Sequence, residues 1–151
     1  LGKGPGFLIF FLDFLKGVFG VYLGSLSHFE PTALVLGGIM AIVGHSCSIF
    51  LRFQGGKGVA TGLGVIAMLM PKATILIFLL WFVIVYLTGY VSLGSIIAAS
   101  AVPFFAWWGK EPGAYIVFGI AAAIFVIYRH KTNIQRLLAG TESKIKAGKR
   151  P

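Results

Sequence analysis

The stretch Phe53-Gln54-Gly55-Gly56-Lys57-Gly58-Val59-Ala60-Thr61 separates two apolar segments of the chain. Its glycines allow successive backbone N–H groups to turn toward one centre, and its lysine adds a full positive charge. The helix predicted to follow contributes the positive end of its dipole. The stretch therefore predicts an anion site that suits phosphate. The alternative is an ordinary loop whose lysine extends toward the headgroups.

The composition around this loop is that of an integral membrane protein. The 151 residues are 58% hydrophobic and 11% charged, with a mean hydropathy of +0.93, unlike a soluble domain. The formal net charge is +9, but the cations lie between and after the apolar segments, which indicates positive-inside topology rather than nucleic-acid binding. Cys47, the one cysteine, excludes an intramolecular disulfide and is predicted to be a small core residue.

Apolar segments of helical length predict an all-α fold, a polytopic membrane helix bundle. The predicted helices cover residues 6–27, 32–51, 59–70, 73–87, 92–108 and 114–128. The third has about 12 residues, roughly 18 Å, which is too short to span a bilayer comfortably. Its N-terminus is therefore expected partly within the membrane, while 73–87 is expected to face lipid. Gly37, Gly38 and Gly44 are predicted to allow close helix packing.

Several polar residues interrupt or border these segments. Asp13 and Lys16 are three apart in the first, so we expect them to face the bundle interior as a structural ion pair. His45 lies near the glycine loop and is either a core residue or part of a site. His28 is expected to be solvated in a turn. Ser92 begins its helix and can either cap it or bind substrate.

The C-terminal part changes from apolar to basic. Residues 128–138 continue a helical pattern in which His130, Asn133 and Arg136 share one face. A basic face there is either a lipid-headgroup anchor or one wall of a site. Gly140 is expected to end the helix, and residues 141–151 form a basic cytoplasmic tail that is predicted to be disordered from Lys144 onward.

The distribution of cations predicts which loops share a side of the membrane. All lysines and arginines except Lys16, Lys72 and Lys110 lie on the side of the glycine loop, the turn after Thr88 and the C-terminal helix. The positive-inside rule places that side in the cytoplasm. Three stretches of polar or phosphate-suited chemistry thus meet at one end of the bundle, which favours a site.

Other chemistries fit the sequence less well. A Walker loop requires glycine where Leu51 stands and serine or threonine where Gly58 stands. Neither a metal-ligand cluster nor a Ser–His–Asp set is evident, and no metal or cofactor is predicted. Catalysis would therefore depend on positioning and on cations, with a phosphate-bearing substrate able to accept the proton itself.

These residues resemble the PlsY family of bacterial acyl-phosphate:glycerol-3-phosphate acyltransferases over nearly the whole chain. The strings that carry the resemblance are, in order, Phe11-Leu12-Asp13-Phe14-Leu15-Lys16-Gly17, Gly44-His45, Gly55-Gly56-Lys57-Gly58-Val59-Ala60-Thr61, Tyr90-Val91-Ser92-Leu93, and Tyr128-Arg129-His130 with Asn133-Ile134 and Arg136-Leu137. The resemblance implies a monomeric seven-helix enzyme of the bacterial inner membrane whose active site faces the cytoplasm. It would transfer a fatty acyl group from acyl phosphate to the 1-hydroxyl of glycerol 3-phosphate, giving lysophosphatidic acid and phosphate.

The resemblance also implies roles for single residues. Those implied to bind substrate or phosphate are Gly55, Gly56, Lys57, Gly58, Ser92 and Arg136. Those implied to be catalytic are His130, Asn133 and Lys57, with Glu142 as a structural residue. His130 is either the general base for the glycerol hydroxyl or a group that orients the substrate while a phosphate oxygen takes the proton.

The sequence departs from the family in two places. The family's first span and its Ser-Gly-Asn motif would precede Leu1, so residues 1–140 would hold six of seven transmembrane helices, and this piece alone is expected to be inactive. Ser46-Cys47-Ser48-Ile49 stands where the family has an aromatic–proline pair. The competing interpretation is a small transporter or channel subunit for a phosphate-bearing anion, although no internal inverted repeat supports it.

Overall fold

The structure, a computed structural model, describes residues 3–27, 30–48 and 55–145. Within those ranges the regular structure is entirely α-helical, which confirms the predicted fold class. The helices are α1 (Lys3–Ser25), α2 (Pro31–Ser46), α3 (Val59–Leu69), α4 (Pro71–Thr88), α5 (Val91–Trp108), α6 (Gly113–Arg129) and α7 (Lys131–Leu138). The expectations for His28 and for Phe53 and Gln54 fall outside the described residues.

Prolines and glycines set several of the helix ends. Pro31 and Pro71 begin α2 and α4, where the missing N–H of proline costs nothing. Gly89 follows α4 at φ 77° and Gly140 follows α7 at φ 70°. This left-handed conformation is strained for residues with a Cβ atom, so these glycines end the helices without strain.

Two helix boundaries differ from the prediction. α2 ends at Ser46 rather than near residue 51, and Cys47, which follows it, is exposed rather than part of the core. The predicted continuous helix through residues 128–138 is also wrong, because the axis bends by 61° between α6 and α7. His130 leaves helical geometry there, with φ −101° and ψ 10°.

Small residues allow the helices to pack closely. α1 packs against α2 and α3, while α5 packs against α4 and α6. A Cβ atom on Gly37 would overlap the carbonyl oxygen of Gly20, and one on Gly64 would overlap that of Phe14. Because glycine has no Cβ atom, the two backbones can approach each other closely at these positions, as is common in membrane helix bundles. Gly44 was expected to contribute as well, but the space beside it is open.

The short helix α3 lies at the centre of the bundle. Thr61 and Val65 within it, and Met70 after it, are fully buried. By contrast α4 buries Ala73 and Ile77 among mostly exposed apolar side chains, as expected of a helix that faces lipid. Exposed apolar side chains therefore surround the buried helix α3. This arrangement is typical of a protein that lies in a lipid bilayer.

Helix length limits how many spans can be counted. α1, α4 and α5 are long and apolar enough to cross a membrane, and α6 with α7 forms a bent pair that meets the same criterion. α2 and α3 are apolar but shorter, so length and composition alone identify three or four spans rather than six. The chain is nevertheless a multi-pass helical membrane protein.

Candidate active site

The glycine loop lies between the end of α2 and the start of α3. The backbone N–H of Gly55 donates to the carbonyl oxygen of Ser46 at 3.2 Å. Gly58 is the N-cap of α3 and has φ 76°, a conformation that favours glycine. The loop thus leads directly into a helix N-terminus, where the dipole is positive. Lys57 is exposed, so its ammonium group is accessible to a ligand.

Arg129 fastens this loop to the end of α6. Its Nη2 donates to the carbonyl oxygens of Gly55 at 2.8 Å and of Gly56 at 2.9 Å. Both carbonyls are drawn toward the guanidinium. One side of the loop is therefore held by a charge-assisted interaction that spans more than seventy residues of sequence.

Lys57 reaches from the loop to α7. Its Nζ donates to Oδ1 of Asn133 at 2.7 Å. The amide nitrogen of Asn133 in turn donates to Oε1 of Glu142 at 2.6 Å. Because Asn133 is buried and both ends of its amide are engaged, its orientation is fixed. Lys57, Asn133 and Glu142 form a continuous hydrogen-bonded chain.

The carboxylate of Glu142 accepts hydrogen bonds from three side chains. In addition to Asn133, its carboxylate accepts from Oγ of Ser92 at 2.7 Å and from Nε of Arg136 at 2.6 Å. Only 6% of the Glu142 side chain is exposed. The hydrogen bonds from Asn133, Arg136 and Ser92 lower the pKa of Glu142 from 4.5 to about 2, against the opposing effect of burial. The carboxylate is therefore charged at any physiological pH.

Ser92 does not cap its helix. The N-cap of α5 is Tyr90, which makes no side-chain capping bond, and Ser92 donates to Glu142 instead. The tail predicted to be disordered from Lys144 onward also differs in part, because Lys144 and Ile145 make defined contacts. The N–H of Ile145 donates to the carbonyl oxygen of Gly89 at 2.8 Å, and Lys144 lies over the ring of Tyr90.

His130 lies at the bend between α6 and α7, beside the same cluster. It is 2% exposed, and its Nδ1 lies 2.8 Å from the carbonyl oxygen of Val126. Because a carbonyl oxygen can only accept, the contact favours a proton on Nδ1 and leaves Nε2 as an acceptor. Burial lowers the pKa of His130, and the charge of Lys57 lowers it further, although the Val126 carbonyl and Glu142 act in the opposite direction. The neutral ring is therefore the dominant form at neutral pH.

The predicted ion pair of α1 forms and has a third member. Asp13 Oδ1 lies 2.8 Å from Nζ of Lys16 and 3.4 Å from Nδ1 of His45. The Asp13 side chain is 16% exposed, but that of Lys16 is 58% exposed. The expectation that both face the bundle interior is thus met by Asp13 and not by Lys16.

The structure brings most of the predicted site residues to one end of the bundle. That end combines the glycine loop with Ser92, His130, Asn133, Arg136 and Glu142. Arg129 and the link from Ile145 to Gly89 were not predicted as contributors. Arg129 gave no distinct signal because it is one of several basic residues at a helix end, where a headgroup contact is the common role.

No group of three or more His, Cys, Asp or Glu in the described ranges could hold a metal ion. The cations of the cluster, together with a helix N-terminus and oriented amides, suit a phosphate group. Fold and cluster together define a class: a multi-pass helical membrane protein with an anion-suited polar cluster at one end of its bundle.

Comparison with known proteins narrows this class. A family model for Glycerol-3-phosphate acyltransferase matches residues 1–140. The chain is 47% identical over 145 residues to glycerol-3-phosphate acyltransferase 2 of Moorella thermoacetica, covering 96% of this chain and 74% of the relative. It is 42% identical over 146 residues to the glycerol-3-phosphate acyltransferase of Fusobacterium nucleatum, covering 97% and 75%.

Solved structures agree with these sequence matches. A crystal structure of PlsY (YgiH) in its glycerol 3-phosphate form has a TM-score of 0.90 and 38% identity, covering 96% of this chain and 73% of that one. Its lysophosphatidic acid form has a TM-score of 0.89. The chain belongs to the glycerol-3-phosphate acyltransferase family. Between the two classes left open by the sequence, this favours the membrane enzyme over a transporter or channel.

Proposed function

We propose that the enzyme takes its acyl group from acyl phosphate and transfers it to the 1-hydroxyl of glycerol 3-phosphate. The observation that carries the proposal is the chain from Lys57 through Asn133 to Glu142. It holds a cation and an oriented amide beside a glycine loop at the start of a helix. Two solved structures of one relative are named as its glycerol 3-phosphate and lysophosphatidic acid forms, which supports a phosphate ester as substrate and its acylated form as product.

The glycine loop is the proposed phosphate-binding element. Backbone N–H groups of residues 55–58, the dipole of α3 and the Lys57 ammonium would hold the phosphate of glycerol 3-phosphate by hydrogen bonds and charge. Ser92 and Arg136 already donate to Glu142. A hydroxyl also accepts, and a guanidinium has further donors, so both remain able to contact substrate.

The proposed reaction balances without a cofactor. The 1-hydroxyl oxygen attacks the acyl carbonyl carbon, forming the ester bond. The bond between that carbon and the phosphate oxygen breaks, and phosphate leaves. The hydroxyl proton passes to a phosphate oxygen of the donor. Lys57 and neighbouring N–H groups would stabilise the negative charge that develops on the carbonyl oxygen.

His130 can take part in this step in either of two roles. As a neutral ring with Nε2 able to accept, it can orient the hydroxyl by accepting a hydrogen bond or remove the proton as a general base. We favour orientation, because an imidazolium would be formed in a buried place beside Lys57. Asn133 would act with it by fixing the position of Lys57.

His130→Gln is expected to reduce kcat by about tenfold or less, because glutamine can still hydrogen-bond the substrate, whereas loss of a general base costs about 10²–10⁴-fold. The measurement is kcat as a function of pH in both proteins. If His130 were the base, the wild-type rate would fall on the acid side at a pH below 6.5, since its pKa is lowered from that value. Because protonation removes the Nε2 acceptor in either role, the size of the loss is decisive, and a fall in kcat of about 10²-fold or more in the variant at neutral pH would contradict the orienting role.

The cluster is proposed to face the cytoplasm of a bacterial cell, with the bundle in the inner membrane. Arg129, Lys131 and Arg136 lie at that end of α6 and α7, as the positive-inside rule expects. Labelling of the exposed Cys47 near the glycine loop by a membrane-impermeant thiol reagent tests this orientation. Labelling of inverted vesicles but not of intact spheroplasts is expected.

The function is tested by supplying acyl phosphate and glycerol 3-phosphate to purified protein in lipid. Because the chain spans 73–75% of the relatives' length, it is assayed alone and with the amino-terminal residues of the Moorella relative fused to Leu1. The expected product of the fusion is lysophosphatidic acid, with release of phosphate. Absence of that product from folded fusion protein would reject the proposal. Product formed equally well from acyl-CoA or acyl carrier protein would reject acyl phosphate as the specific donor.

A further inference from the structure

The glycine loop has a second support on the side opposite Arg129. His45, in the last turn of α2, places its ring against Gly56. A Cβ atom on Gly56 would overlap Nε2 of that ring and would lie 2.9 Å from its Cε1 and 3.4 Å from its Cδ2. The three atoms nearest to this Cβ all belong to the ring, so the ring is the first obstacle that a side chain on Gly56 would meet.

Asp13 holds the other edge of the same ring. Its Oδ1 lies 3.4 Å from His45 Nδ1, and the two side chains are 16% and 12% exposed. A carboxylate at Nδ1 favours the tautomer protonated there and fixes the ring plane. Lys16 shares that oxygen at 2.8 Å but is 58% exposed, so it contributes less to the ring's position.

We propose that His45 is a positioning residue for the phosphate-binding loop and that Asp13 holds it in place. The pair sets the affinity for glycerol 3-phosphate without contacting it, because the ring defines where the Gly56 backbone lies. This inference rests on the proposed function of the loop. It gives Asp13 of α1 a role in substrate affinity in addition to its ion pair with Lys16.

The test exploits the different obstacles that face Gly55 and Gly56. A Cβ on Gly55 would overlap the backbone oxygen of His45 and lie 2.8 Å from that of Ser46, and neither atom is removed by a side-chain substitution. His45→Ala removes the obstacle to Gly56→Ala and leaves the obstacle to Gly55→Ala. The two glycine variants are therefore matched controls for one another.

His45→Ala is expected to raise KM for glycerol 3-phosphate by about tenfold, with a smaller change in kcat, because the loop is displaced rather than a reacting group removed. Gly56→Ala alone is expected to raise KM as well. In the His45→Ala background, Gly56→Ala should change KM by less than about twofold, whereas Gly55→Ala should multiply it further. If KM in the double variant rose by the product of the increases in the His45→Ala and Gly56→Ala single variants, the proposal would be overturned.

Asp13→Asn and Lys16→Gln separate the carboxylate from its exposed partner. Asp13→Asn should raise KM without adding to His45→Ala, and Lys16→Gln should leave KM close to wild type. Hydrogen exchange of the residue 55–58 amides gives a readout that needs no turnover. Faster exchange in His45→Ala, with an unchanged melting temperature, is expected. Unchanged exchange would reject the positioning role, whereas an unsubstituted fusion protein that shows the expected exchange but forms no product would reject the proposed function alone.

Discussion

Glu142→Gln is expected to reduce acyl transfer by at least about a hundredfold, because it releases the residues that set the position of Lys57. Glu142 accepts from Ser92, Asn133 and Arg136. An uncharged amide can accept at only one of its two ends, so whichever way it turns, an amino group faces a donor. If the amino group stands at the position of Oε1, Asn133 loses the acceptor that orients its amide and Lys57 loses its fixed partner; if it stands at the position of Oε2, Arg136 loses its acceptor.

The same substitution is expected to lower the free energy of unfolding by about 3 kcal/mol, since hydrogen bonds to a buried charge are lost and donors are left unpaired. The pKa of Glu142 lies at about 2 in the folded protein against an ordinary 4.5. Its contribution to stability is therefore complete above pH 4.5 and is lost as the pH falls toward 2. The stability difference between wild type and variant should shrink over that range.

Reversible denaturation in detergent at several pH values, together with the transfer assay, measures both effects. Glu30→Gln is the matched control, because Glu30 is exposed and makes no side-chain capping bond at α2. It should behave as wild type. An equal loss in the two variants, or a Glu142→Gln protein with full activity, would show that the network does not organise the site.

Lys57→Gln is expected to raise KM for glycerol 3-phosphate and to lower kcat/KM by about 10²–10³-fold, the usual cost of removing one donor that stabilises transition-state charge. Glutamine keeps a hydrogen-bonding group near Asn133 but removes the charge that attracts phosphate. The expected loss is therefore larger in activity than in stability. Steady-state kinetics over both substrates and a melting curve separate the two.

Lys72→Gln is the control for Lys57→Gln, since it changes the net charge of the chain equally. Lys72 lies near the start of α4, and the residue 88–90 turn lies beyond the other end of that 18-residue helix. At 1.5 Å per residue the helix is about 27 Å long, well beyond the screening length of exposed charges at physiological salt. Similar losses in both variants would indicate a general charge effect and would argue against a site at Lys57.

Much of the fold follows from residue patterns that act locally. Pro31, Pro71, Gly89 and Gly140 mark helix ends through their own backbone preferences, and the segments between them are apolar enough to be buried in lipid. The shortness of α3 was likewise evident from Pro71. Local rules were insufficient at His130, where the polar residues beyond it fit a continued helix as well as a bend.

The site could be predicted as a set of residues but not as a set of contacts. Lys57 and Asn133 are chemically suited to phosphate wherever they lie, so their residue types drew attention to them. Arg129 and His45 differ, because each supports the glycine loop through a partner that only the folded backbone brings near. Arg136 is predicted to bind phosphate, and the sequence gives no sign that its Nε also donates to Glu142.

The link between Glu142 and the rest of the cluster has a consequence for how the protein is made. Lys57 and Asn133 are separated by 76 positions, and Ser92 and Glu142 by 50. The seven helices of the described residues all precede Glu142, so a nascent chain that has not reached Glu142 lacks the carboxylate that accepts from Asn133. Premature termination or proteolysis between Gly140 and Glu142 would leave all seven helices intact and remove the residue that organises the cluster. The hydrogen-bonded cluster is thus complete only in a chain that extends through Glu142.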